Sequence, residues 1–285
     1  MVGIDGGRLR ERVPKRGRRK KGQKRQGYTG EWHEPKVFTL YLLDADGAIV
    51  KTFPPLHDAT MEDHTAVFAL LERYLSALSL HELARIVFCG DGASWIWSDV
   101  EALCAKMGLE KHCPIYQVLD YTHAQQYLQT LIDLVAPTVR KKQNVDKHWR
   151  DLLWAGDIQG LRQEIDRLLQ GRKRKSALKK WTSYFEGNAK RLQYNVFQSA
   201  HIPCGSGCVE SAIRRIINLR LKSAGSFWTR PMAEAFLFLR SQLLSGRWNF
   251  FLKNVVRQAA RALLRGISVY SLDTFLPPLA TLAFH

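Results

Sequence analysis

Apolar and polar positions follow two different periods along this chain. Residues 2–4 (VGI) form a short apolar run that stops at Asp5 and two glycines, which predicts a strand, a sharp turn and an exposed carboxylate at the strand end. Residues 37–43 and 48–53 read as two further strands joined at Asp44-Ala45-Asp46-Gly47, a hairpin turn. Between 60 and 80, apolar residues at 67, 68, 70, 71, 74, 75 and 78 fall at helical spacing. Residues 85–92 (RIVFCGDG) are apolar without alternation, as in a strand covered on both faces, and they too stop at an aspartate and a glycine, Asp91-Gly92. A helix over 94–107 and a third apolar strand over 113–120 (CPIYQVLD), ending in Asp120, continue the alternation. The pattern predicts an α/β fold, a mixed sheet with helical cover.

From 122 to 192 the pattern is helical throughout, with helices near 123–136, 145–155, 158–170 and 174–190 and breaks at Pro137, Gly156-Asp157 and Gly171. This block is too long to be a loop and reads as a helical insertion in one domain. Residues 202–228 (IPCGSGCVESAIRRIINLRLKSAGSFW) then predict a helix starting at Gly207, with the Ser206 hydroxyl accepting a first-turn N–H. Val209, Ala212, Ile213, Ile216, Ile217, Leu221 and Ala224 make its apolar face, while Arg214, Arg215, Asn218 and Lys222 climb the opposite one. Glu210 lies between the two faces. On this stretch alone it reads as a first-turn glutamate that suits the helix dipole and pairs with Arg214. Arg220 falls on the apolar side of an ideal helical wheel, where only a snorkelling stem would account for it. Further helices are expected over 231–245 and 249–264, with Pro277-Pro278 ending the ordered C-terminus. The chain thus divides into a first part of a core (1–121), the insertion (122–200), the Glu210 helix and the end of the core (201–247), and a helical tail (248–285).

Composition narrows the partner. The 285 residues are 46% hydrophobic, enough for a globular core, yet 43 Lys and Arg face only 26 Asp and Glu, a formal charge of +17. Such a balance points to a polyanion, either nucleic acid or an anionic membrane surface. No apolar run reaches membrane-spanning length and no signal-peptide pattern is present, so a soluble, unsecreted protein is expected. Five cysteines, an odd number, suit reduced thiols in a cytosol. His201, Cys204 and Cys208 lack a fourth ligand and match no common zinc spacing. Residues 8–27 are dominated by Arg and Lys and are expected to be a mobile loop. There Arg16, Arg18, Arg19, Lys20 and Lys21 would contact phosphates.

Asp5, Asp91 and Asp120 at strand ends, with Glu210 on a late helix, stand out as a set. A single strand-end aspartate is usually a turn former or a helix cap. Along parallel strands, however, carboxylates at successive C-terminal ends converge on one rim. Clustered carboxylates need a cation, and hard oxygen ligands suit Mg²⁺ or Mn²⁺. Two such ions serve phosphodiester chemistry, and the basic surface then supplies the grip on DNA or RNA.

The runs VGIDGGRLRER, FCGDGASWIW, YFEGNAKRLQYNVFQ and IPCGSGCVESAIRRIINLRLK resemble the catalytic region of bacterial insertion-sequence transposases of the Asp-Asp-Glu superfamily, the Kra-type group in particular. The resemblance covers residues 1 to about 248 and rests mainly on the last two runs. It implies a ribonuclease-H-like fold with helices on both faces and a helical insertion before the glutamate. By motif it assigns Asp5, Asp91 and Glu210 as catalytic and metal-binding residues for two Mg²⁺ or Mn²⁺ ions. Asp120 and His123, in LDYTHAQQYL, are site-adjacent. Arg214, Arg215 and Lys222 would hold phosphates. The implied reaction is cleavage of double-stranded DNA at element ends and strand transfer into a target. It would be carried out by a homo-oligomer on DNA, in a bacterial cytoplasm at the nucleoid and without a membrane. Such transposases carry a DNA-recognition region ahead of the first aspartate. Only four residues precede Asp5 here, so a fragment, a split reading frame or a decayed copy is expected. The alternatives are a structure-selective nuclease on the same fold and an inactive DNA-binding remnant.

Overall fold

A computed structural model describes residues 1–19, 21–22, 26–135 and 139–264. Five strands form one sheet in the order β5-β4-β1-β6-β7: β1 (Val2–Gly6), β4 (Lys36–Leu40), β5 (Leu56–Thr60), β6 (Ile86–Gly90) and β7 (Ile115–Leu119). β4 runs antiparallel to both neighbours, whereas β1, β6 and β7 are parallel, with Ile4 opposite Gly90 and Gly90 opposite Leu119. The three apolar runs that end in aspartates are therefore neighbouring parallel strands with their C-terminal ends on one edge.

Helices cover both faces. Val2, Ile4, Phe38 and Phe88 pack with α1 (His64–Ser76) and α2 (Ser94–Met107). The insertion adds α3 (Tyr121–Val135), α4 (Val139–Trp154), α5 (Ile158–Leu168), α6 (Gly171–Lys180) and α7 (Tyr194–Ser199) to the same buried cluster through Leu128, Trp149, Leu161, Trp181 and Tyr194. On the other face Val37 and Ala59 meet α8 (Gly207–Ile213) and α10 (Arg230–Leu244) through Val209, Ala212 and Leu237. Between them a π turn (Arg214–Asn218) leads into the single turn α9 (Leu219–Leu221), and α11 (Trp248–Leu264) follows α10.

Three expectations are corrected. The basic segment 8–27 is not wholly a mobile loop: β2 (Leu9–Pro14) pairs antiparallel with β3 (Tyr28–His33). Leu9 is fully buried while Arg10 and Arg12 lie on the other face, so outward arginines hid a period of two. The strand placed at 48–53 makes only a bridge from Leu43 to Ile49, although the turn forms, with Asp44 accepting from the Asp46 and Ala48 N–H groups. The strand that follows β4 in the chain and pairs with it is β5, whose His57 and Asp58 look like loop residues but are buried with partners. Thr39 Oγ1 lies 3.0 Å from His57 Nδ1, and the Tyr74 hydroxyl donates to Asp58 at 2.9 Å. Third, Arg220 is exposed and donates to the Leu219 carbonyl. The π turn shifts the residues after it around the axis, so an ideal α wheel misplaces it. Pro277-Pro278 and Lys20 lie outside the described residues. Among the described residues no helix is long and apolar enough to cross a membrane.

Candidate metal centre

Strand alternation puts Gly3, Asp5 and Gly7 on one side of the β1 segment. Both glycines are pressed by the helix that carries Glu210. A Cβ on Gly3 would stand 3.1 Å from Val209 Cβ, and one on Gly7 would stand 2.3 Å from Ile217 Cδ1. The helix therefore lies along β1, and Asp5 is the side chain between its two points of contact. Asp91 follows β6 directly, its Oδ1 accepting the Ala93 N–H at 2.9 Å at the start of α2. Asp5 and Asp91 line one cleft of about 450 Å³ together with Arg8, Trp32, His33 and Glu34.

Asp120 ends β7 and is fully buried. Its Oδ1 accepts the His123 N–H at 2.7 Å, and its Oδ2 accepts the Ser206 N–H, which ties the β7 edge to the start of α8. The Ser206 hydroxyl does not cap that helix as expected; it donates to Glu210 Oε1 at 3.2 Å. Glu210 makes no pair with Arg214 among the described residues. Ligand atoms of Asp120, His123 and Glu210 all lie within 4.8 Å of one another, the one such group of three among the described residues. His201, Cys204 and Cys208 form none; the Cys204 thiol faces the Ile202 and Tyr194 carbonyls.

Burial pushes the Asp5 carboxyl up to about 6, and Asp91 and Glu210 add repulsion, against the Gly6 N–H and His123. His123 Nδ1, 3.3 Å from Asp120, is buried without a hydrogen-bond partner. In so basic a chain, none of these four carboxylates meets a Lys or Arg within ion-pair distance among the described residues. Asp120, His123 and Glu210, with an orphaned imidazole nitrogen among them, are a group that could hold a divalent cation.

Of the phosphate-binding residues expected from the sequence, Arg16, Arg18, Arg19 and Lys21 are exposed between β2 and β3. Arg214 is exposed on the Glu210 segment, and Lys222 lies 5.9 Å from the Trp32 ring centre. Arg215 turns elsewhere: its carbonyl accepts from Arg240 on α10, and its charge bears on His57 and Cys208. Two residues were given no place at the site by the sequence reading. Glu34 lies in the cleft, where a Cβ on Gly6 would collide with its carboxylate. Tyr184, in a second π turn (Trp181–Glu186), covers Gly92, where a Cβ would come within 2.3 Å of its ring. Tyr184 stacks on Tyr127 at 4.0 Å, and Asn188 holds its carbonyl, so the YFEGN run buttresses the Asp91 turn.

No family model, no curated protein and no solved structure matches this chain.

A carboxyl raised above its unfolded value binds an extra proton in the folded state. Asp5 thus contributes stability below about pH 4 that is lost as pH rises through about 6 in ion-free protein. A cation bound at Asp5 would replace that proton. Saturating Mg²⁺ at about a hundred times its Kd should add about 2.7 kcal/mol. The thermal shift should be clearly larger at neutral pH than below the Asp5 pKa, and Asp5→Asn should remove most of the difference. Equal shifts at both pH values would count against Asp5 as a ligand.

Proposed function

We propose that this chain is the catalytic core of a DNA transposase of the Asp-Asp-Glu kind, with Asp5, Asp91 and Glu210 holding two Mg²⁺ or Mn²⁺ ions. The observation that carries this reading is that Asp5 and Asp91 line one cleft, with Glu210 near enough to help raise the Asp5 carboxyl, in a chain of +17 charge. The sheet order, with β4 alone antiparallel and the first aspartate on the central strand, is compatible with a ribonuclease-H-like fold and supports the same reading. When bound, two such ions activate an attacking oxygen and stabilise a leaving one in phosphodiester chemistry.

The protein's own groups would work as follows. Asp5 sits on the sheet, where β4 and β6 flank its strand, so its position is the most rigid of the set. Glu210 approaches from the helix, held by Ser206. His123 and Asp120 have ligand atoms within 4.8 Å of Glu210's, and Asp120 positions both α3 and α8 through the backbone N–H groups it accepts. The basic hairpin and the exposed Arg214 would hold phosphates beside the cleft and orient the scissile bond.

The test is strand joining. Labelled duplexes with a free 3′-OH, taken from the DNA on either side of the reading frame, are incubated with plasmid and Mg²⁺ or Mn²⁺. Joined products are expected. Nicks without joining would replace this proposal with a nuclease, and tight DNA binding with no product would replace it with a non-catalytic remnant.

A further inference from the structure

The outward face of the β2–β3 hairpin carries a row of aromatic rings interleaved with cations. Register places Arg10 opposite Trp32, Arg12 opposite Gly30, and Pro14 opposite Tyr28, all on the side away from buried Leu9. Gly30 leaves room for Phe227, which comes from the segment after α9: a Cβ there would lie 2.4 Å from the Phe227 ring. The row therefore reads Trp32, Phe227, Tyr28, with Tyr28 and Phe227 edge to face at 5.3 Å. Arg10 lies 4.9 Å from the Trp32 ring centre and 5.4 Å from that of Phe227. Arg12 lies 4.4 Å from Tyr28, and Arg8 and Lys222 stand 5.6 and 5.9 Å from Trp32.

A contiguous row of open rings rimmed by charged groups marks an interaction surface. Trp32 is 46% exposed and Tyr28 38% exposed. The four cations around them have no carboxylate partner among the described residues. The acids nearby are spoken for or peripheral: Glu11 pairs with His33 and Arg230 on the opposite face, Glu34 pairs with Lys36, and Glu31 is exposed on the far side of the strand. Stacking on a ring leaves guanidinium N–H groups free for phosphate. The segment after α9 is also anchored here, the Trp228 N–H donating to Arg10 and the Trp228 carbonyl accepting from Arg12. The row thus has a fixed base, and its Trp32 end opens into the cleft lined by Asp5 and Asp91.

We propose that this row binds unpaired bases of a single-stranded nucleic acid segment, Trp32 stacking a base while Arg8, Arg10, Arg12 and Lys222 hold the flanking phosphates. Aromatic platforms within a cationic groove are how single strands are held without sequence readout, because every base has a π face and only an unstacked one can use it. A duplex offers phosphates but no free face. This inference rests on the reading above only for nucleic acid as the partner. It concerns binding, not metal chemistry.

The experiment is fluorescence anisotropy in EDTA with three probes: labelled oligothymidylate of about 12 nucleotides, the same backbone with abasic sites, and a duplex of equal length. Wild-type protein should bind oligothymidylate at least about tenfold more tightly than the abasic strand. Trp32→Ala should abolish that preference and leave duplex affinity within about twofold, while Trp32→Phe, which keeps a π face, should retain most of it. Equal binding of thymidylate and abasic strands by the wild type would overturn the proposal, as would a parallel loss of duplex and single-strand affinity in Trp32→Ala. Because the chelator removes any catalysis, failure of strand joining and failure of base stacking are read separately.

Discussion

Asp91→Asn should abolish strand cleavage and strand joining while leaving DNA affinity within about twofold. Asp91 Oδ1 accepts the Ala93 N–H at the start of α2, and an asparagine oxygen can accept the same bond. The Trp97 indole N–H donates to the Asp91 carbonyl, which the substitution does not touch. The turn is further clamped by Tyr184 over Gly92, so the backbone has little reason to move. What changes is one negative charge at a cleft where cations would be held. Loss of a partner one step removed from a metal ion costs about 10–100-fold in affinity or activity, so loss of a direct ligand should exceed that. Activity with Mg²⁺ and Mn²⁺, DNA affinity and the thermal midpoint should be measured on the same preparation. Substantial metal-dependent activity in the variant would remove Asp91 from the site. A large drop in the midpoint would instead make it a structural cap.

The contrast between Asp91 and Asp120 shows what a sequence can and cannot display. Both end apolar runs without alternation, and both runs are central or edge strands of one parallel set, as the pattern implied. Their different surroundings were not legible. Asp120 is fully buried with both oxygens on backbone N–H groups, whereas Asp91 opens into the cleft. That difference depends on Ser206, which lies far along the chain. The helix after Ser206 was legible from Val209 to Leu221 because buried residues repeat at helical spacing. Its π turn was not, since one extra residue in a turn leaves no mark on composition, and the misplaced Arg220 was the trace of it.

The strands that escaped notice share a cause. β5 buries His57 and Asp58, and β2 and β3 turn arginines, a glycine and a tryptophan outward. In both cases the residues that look like loop make their contacts with distant partners, Thr39, Tyr74 and Phe227. Trp32, set in an otherwise polar stretch before His33 and Glu34, was the available signal for the cleft wall. The acids could be named from strand ends and one helix, and His123 from its motif beside Asp120, while Glu34 acquires meaning only through its place in the cleft.

Replacing Arg16, Arg18, Arg19, Lys20 and Lys21 with serine should weaken binding to all duplexes alike and flatten its salt dependence. Arg16, Arg18, Arg19 and Lys21 are exposed, and Lys20 stands between them in the chain. The hairpin below them is fixed by pairing from Leu9 with His33 to Pro14 with Tyr28, and by the Lys15 N–H donating to the Gly27 carbonyl. The charges are thus carried on an arm whose root is β1 itself, only a few residues from Asp5, rather than on a free loop. Each side chain that pairs with a phosphate releases condensed counterion, worth about 0.9 log unit of affinity per log unit of salt on duplex DNA. If all five engage, the slope should become shallower by roughly 4 to 5, and the loss at low salt should reach several orders of magnitude. The fold should survive, because Arg16, Arg18, Arg19 and Lys21 contribute nothing to either buried cluster. The measurement is affinity for two unrelated duplexes across a salt series, with the thermal midpoint as control. An unchanged slope would make the arm a solvated surface feature. A loss confined to one duplex would mean that it reads base edges, which needs side chains positioned in a groove rather than a row of charges at a hairpin tip.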